Sequence, residues 1–129
     1  MSDTQEWPGS IAAITLFVED LDSAKSFYQE VFGLPIHYED ENSAVFEFGA
    51  TLVNLLKATE AQGLVEPALS SRDAGVRFQF TLGVADVDSM SAELGRRGVE
   101  LLNGPVNRPW GVRTASFRDP GGHIWEIAQ

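Results

Sequence analysis

From residue 11 to residue 18, apolar side chains alternate with smaller or more polar ones. Ala12, Ile14, Leu16 and Val18 fall on one side, and Ala13, Thr15 and Phe17 on the other. That period of two predicts a strand with one apolar face for a helix layer and a second face of mixed size and polarity. The period then lengthens. Leu21, Ala24, Phe27, Tyr28, Val31 and Phe32 recur at helical spacing, with Lys25, Ser26, Gln29 and Glu30 between them. Asp20 or Asp22 can cap this helix with a side-chain oxygen, and Gly33 followed by Pro35 ends it. Strand-like runs follow at 36–39, 44–48 and 51–56, separated by turn residues at 40–43 and 49–50.

The same order returns in the second half. Residues 76–84 alternate, with Phe78, Phe80, Leu82 and Val84 on the helix side and Arg77, Gln79, Thr81 and Gly83 opposite. Residues 86–97 predict a helix through Val87, Met90 and Leu94, ended by Gly98. A strand at 99–102, a loop or bulged edge at 103–111, a strand at 112–118, the turn Asp119-Pro120-Gly121-Gly122 and a last strand at 123–128 complete it. The halves also share a stretch: Thr15 opens TLFVEDLDS and Thr81 opens TLGVADVDS, about half a chain apart. A repeat that matches in letters and in element order sets the fold class. The expectation is α+β: two βαβββ modules in tandem, about 10–57 and 76–129, joined by a polar linker at 58–75 within a single domain. The linker can also cover a site or contact a partner chain, and residues 1–9 read as a tail.

Composition narrows the partners. The 129 residues are 43% hydrophobic and 22% charged, ordinary for a globular chain. A net charge of −10 disfavours nucleic acid and anionic membrane surfaces and would attract a cationic guest. The chain has no cysteine, which removes disulfides and thiolate metal sites. No apolar run approaches the ~20 residues that span a bilayer, and the N-terminus has neither basic nor apolar signal character, so cytoplasm is the default expectation. No dinucleotide fingerprint, phosphate loop or Gly-x-Ser-x-Gly elbow is present.

The duplicated order, together with PWGVRTASFRDPGGHIWEI from Pro109 to Ile127, resembles the vicinal oxygen chelate superfamily, also called the glyoxalase/bleomycin resistance/dioxygenase group. The likeness runs from Ile11 to Ala128. It implies curved mixed sheets forming a cup with the helices outside, and a homodimer. Such a fold hosts lyases, isomerases, dioxygenases, thiol transferases and drug-sequestering proteins, so it does not select an activity.

In metal-dependent relatives the ligands lie on the first and last strands of each module. Carried over position by position, they fall on Ala13, Asn54, Gln79 and Glu126. Ala13 has no donor, Asn54 and Gln79 offer neutral amides, and Glu126 alone is a charged ligand of the usual kind. His123, three residues from Glu126, is expected on the opposite side of the last strand, and His37 at a strand edge.

The expectation is therefore a cup that binds an organic small molecule without a metal cofactor, sequestering a toxic or antibiotic compound. The alternative is a lyase, isomerase or dioxygenase using Zn, Ni, Mn or Fe, with Gln79 and Glu126 among the ligands. Glu126 is the candidate catalytic residue, as a general base, against the readings of a ligand anchor or a carboxylate paired with an arginine. Thr15, Phe17, Asn54, Gln79, Trp110 and Arg113 are the candidate ligand-binding residues. Arg113 would orient an anionic group or pair with Glu126, and Trp110 would form an aromatic wall or a plug. Leu52, Leu56, Phe46, Phe48 and Tyr38 are further candidate lining residues.

Overall fold

A computed structural model describes residues 6–129; residues 1–5 of the expected tail, and with them the first half of the segment tested for a signal, lie outside them. The two halves form two four-stranded mixed sheets of the same strand order. The first contains β1 (Ala13–Val18), β2 (Ile36–Glu39), β3 (Ser43–Phe48) and β4 (Thr51–Lys57), ordered β1-β4-β3-β2. The second contains β5 (Phe80–Gly83), β6 (Leu101–Asn107), β7 (Arg113–Arg118) and β8 (Ile124–Ala128), ordered β5-β8-β7-β6. In each sheet the first strand runs parallel to the last, and the other pairs are antiparallel. The expected α+β duplication is the observed fold.

The helices α1 (Leu21–Phe27) and α2 (Val87–Arg96) begin alike. The Asp20 side chain accepts from the Ser23 amide at 3.1 Å, and the Asp86 side chain accepts from the Ser89 amide at 3.0 Å. Each cap satisfies an amide that the first turn leaves without a partner. The first helix then changes pitch: Tyr28–Phe32 is a π-helical turn, and Gly33 ends it in the left-handed conformation that lacks a steric penalty only for glycine.

Several boundaries differ from those expected. The linker begins with a 3-10 turn, Ala58–Gly63. Residues 76–79 lie outside the second sheet, because β5 starts only at Phe80. The strand expected to begin at 99–102 starts at Leu101 and runs to Asn107 as β6, and its irregular register against β7 is the bulged edge, one of the two readings for 103–111. Gly104 makes that path possible. A Cβ there would lie 2.4 Å from the Thr114 carbonyl oxygen, so only glycine permits so close an approach. The last strand starts at Ile124, leaving His123 in the preceding turn.

The core joins the halves. Leu16, Val18, Ala44, Phe46, Val53 and Leu55 from the first sheet and Ala115, Phe117, Trp125 and Ile127 from the second belong to one buried cluster. Aromatic rings form the seam: Trp125 lies 5.0 Å from Phe32, 4.8 Å from Phe80, and 5.2 Å from Phe48 in a stacked arrangement. Phe46, expected as a lining residue, is fully buried here, and Phe48 packs against Trp125. Both lie on the helix-bearing side, opposite Asn54. Among the described residues no helix is long and apolar enough to cross a membrane.

Candidate functional site at the seam

The opposite face of each sheet carries the positions the sequence singled out. On the first sheet Thr15 pairs with Asn54 across β1 and β4, with Phe17 opposite Leu56 and Ala13 opposite Leu52. The Asn54 amide nitrogen is 3.5 Å from the Thr15 hydroxyl, while its buried carbonyl oxygen has no partner among the described residues. On the second sheet Thr81 pairs with Glu126, and the Thr81 hydroxyl donates to the Glu126 carboxylate at 2.9 Å.

These positions do not form a chelating set within the chain. Ala13 has no donor atom, and Gln79 is exposed and precedes β5. Glu126 is engaged by Thr81, and no group of three or more His, Cys, Asp or Glu that could hold a metal ion exists among the described residues. A divalent transition ion ordinarily needs about three imidazole or carboxylate donors converging on it. The residues present do not fit one.

Arg113 also departs from its expected role. Its side chain lies on the helix-bearing side, where it makes a bidentate pair with Asp88 of α2, both contacts at 2.9 Å, and a third bond to Asn107 at 3.0 Å. The hydrogen bond from Arg113 holds the Asp88 carboxyl below the usual carboxylate range. Alternation along β7 places Ser116, not Arg113, opposite Glu126, so the expected pairing of Arg113 with Glu126 does not form. Trp110 is 72% exposed in the turn before β7 and stands apart from the cavity described next.

Thr15 and Phe17 do meet a cavity. It has a volume of about 260 Å³ and lies between the end of β1, residues 69–78 of the linker region and the turn from β7 to β8. Phe17, Leu69, Phe78 and Ile124 give it apolar walls, with Glu19 as its one carboxylate and Arg72 and Arg77 as its cations. With the Arg72 guanidinium paired to Asp73, the charged groups left to face a guest are Arg77 and Glu19. Arg72 ties the linker to the turn: its Nε donates to the Pro120 carbonyl at 2.8 Å and its guanidinium pairs with Asp73 at 2.9 Å. Arg77 has no carboxylate partner among the described residues.

The turn supplies the residue that sequence reasoning passed over. His123 lines the cavity, and its Nδ1 is 2.9 Å from Asp119. Asp119 is only 2% exposed and accepts four bonds: from the Tyr28 hydroxyl at 2.8 Å, the His123 amide at 2.9 Å, His123 Nδ1, and the Trp125 indole at 3.4 Å. A buried carboxylate is tolerable only when so satisfied. Burial, and then the charge of Asp119, push the Tyr28 phenol far above its usual range, so the phenol remains a donor. The available signal was Asp119 four residues before His123 across a Pro-Gly-Gly turn, which folds the imidazole back onto the carboxylate. Reading residue 123 as part of the strand hid it.

Comparison with known proteins agrees with this architecture. A YraH protein of Bacillus subtilis, itself uncharacterized, is 34% identical over 119 residues, covering 88% of this chain and 93% of that one. The glutathione transferase FosA of Serratia marcescens is 30% identical over 118 residues, covering 92% of this chain and 79% of that one. The crystal structure of a glyoxalase/bleomycin resistance protein/dioxygenase from Nocardioides superposes with a TM-score of 0.85 at 25% identity, covering 98% of this chain and 85% of that one. The family model of the Glyoxalase/Bleomycin resistance protein/Dioxygenase superfamily matches residues 10–127, and the chain belongs to that superfamily.

Proposed function

We propose that the protein binds an organic small molecule in the seam cavity without a resident metal, and that its role is to sequester or carry that molecule. The observation that supports this most directly is the cavity itself. Its volume of about 260 Å³ is lined by Phe17 and Phe78, with Arg77 and His123 as polar groups among apolar walls. Apolar walls with a few directional polar groups are the usual make-up of a small-molecule site. The donor set at the family's chelating positions supports the metal-free reading, since only Glu126 there is charged.

A thermal-shift and calorimetry panel of planar organic acids, bases and neutral compounds tests it. Saturable binding that is lost in Phe17→Ala is the expected result, and no saturable binding by any compound sinks the reading. Elemental analysis tests the alternative. Stoichiometric metal that is lost in Glu126→Ala would replace this proposal with a metal-dependent lyase, isomerase or dioxygenase. Homodimer formation is part of the proposal, supported by the exposed apolar Leu102, Val106 and Trp110. Light scattering at the monomer mass would remove that part.

A further inference from the structure

We propose that His123 is a proton-accepting residue of the seam cavity, and that the cavity takes a small organic anion bearing a weakly acidic hydroxyl or thiol. The acidic group lies against His123 Nε2 and the anionic group against Arg77. This deepens the reading of the cavity as a ligand site and rests on it.

Three observations fix the imidazole. A carboxylate accepts and does not donate, so Nδ1 donates to Asp119 and Nε2 is the ring nitrogen left to meet a ligand. Gly121 closes the other side: a Cβ there would lie 2.6 Å from His123 Cε1 and 2.9 Å from Nδ1. His123 lines the cavity, and Nε2 is the ring nitrogen that Asp119 does not engage. Asp119 in turn is held by Tyr28 and Trp125, from both halves of the chain, so the ring is set by the core rather than by a mobile loop.

A base positioned by a buried carboxylate is the usual arrangement for accepting a proton from a ligand. The ligand's X–H bond breaks with its electron pair left on X, the proton moves to Nε2, and the imidazolium formed is paired with Asp119. Arg77, free of any carboxylate partner among the described residues, supplies the charge that an organic anion needs. Phe78, with its ring 6.4 Å from the imidazole, flanks the same site. Asp119 acts through His123 and is a positioning residue.

The test uses the whole chain and two probes that differ by one hydroxyl, 4-hydroxycinnamate and cinnamate. One hydrogen bond to Nε2 predicts roughly three- to tenfold tighter binding of the hydroxy acid. That ratio should fall to about one in His123→Gln, whereas Arg77→Gln should weaken both acids in common. Carbethoxylation of the wild-type protein by diethyl pyrocarbonate, mapped by mass spectrometry, gives a readout independent of folding of the variants. His123 should be modified, with exposed His37 as the internal reference, and 4-hydroxycinnamate should protect His123 alone. Long-range nitrogen-15 correlation should show the Nδ1–H tautomer, which a merely packed histidine need not adopt. Equal affinity for the two acids, binding of neither, or an unreactive His123 would each overturn the inference. Binding of other compounds in the wider panel would still leave the cavity reading standing.

Discussion

The two copies of the repeated stretch have kept what starts a helix and diverged where one of them meets the cavity. Asp20 and Asp86 make the same cap to the same serine, at 3.1 and 3.0 Å. At the third and fifth positions the first copy has Phe17 and Glu19, and the second has Gly83 and Ala85. Phe17 and Glu19 line the cavity, and their counterparts do not. The shared aspartate and serine thus mark a folding requirement, while Phe17 and Glu19 give the first copy a wall that its repeat lacks.

The largest effect expected lies at the seam. Trp125 and Val53 occupy the same place on the last strands of their sheets, one residue before Glu126 and Asn54, and both are buried. Trp125 carries the aromatic contacts that join the halves. Trp125→Ala should cost about 3–5 kcal/mol in urea denaturation. Val53→Ala should cost clearly less, since it removes far less packed surface. Equal costs would mean that the seam is not the stability centre described.

Next comes Tyr28→Phe, which removes a donor from a buried carboxylate at a cost of about 1–3 kcal/mol. The variant also has a pH signature. The phenol's folded value is raised above its unfolded value of about 10. The corresponding stability is complete below that pH and is lost as pH rises beyond it. Wild type should therefore weaken above about pH 10 by a component that Tyr28→Phe lacks. Parallel alkaline limbs in the two proteins would contradict the buried donor.

The duplication and its strand order were legible because periodicity, capping residues and Gly-Pro stops all report local geometry. The seam was not. Phe46, Phe48 and Trp125 alternate as any strand residues do, and nothing local states that two helix-bearing faces will share a core. The same limit explains the site. Thr15 and Phe17 stand on the first strand, where alternation sets the side they face, and both line the cavity. Arg113 turns to the helix-bearing side to meet Asp88 of α2, a contact that no local pattern states. Asp119 and His123 were missed because their meaning comes from Tyr28, far away in sequence.

The capping comparison predicts a smaller and symmetrical effect. Asp20→Ala and Asp86→Ala should each cost about 1 kcal/mol, measured by thermal or urea unfolding. A much larger loss in one half would show that its aspartate does more than cap.

The smallest effect separates the halves once more. Asp22 and Asp88 are equivalent in the repeat, yet only Asp88 makes an arginine pair among the described residues. Its folded carboxyl value is lowered, first by the hydrogen bond from Arg113. The stability this brings is present above the ordinary carboxylate range and is lost as pH falls through the lowered value. The pair is exposed, so Asp88→Asn should flatten the acid limb of the pH–stability curve only slightly, and Asp22→Asn should not. Neither substitution should alter binding of any ligand in the cavity, from which Arg113 is turned away. A change in ligand affinity in Asp88→Asn would restore to Arg113 the contact with ligand that its place in the sequence suggested.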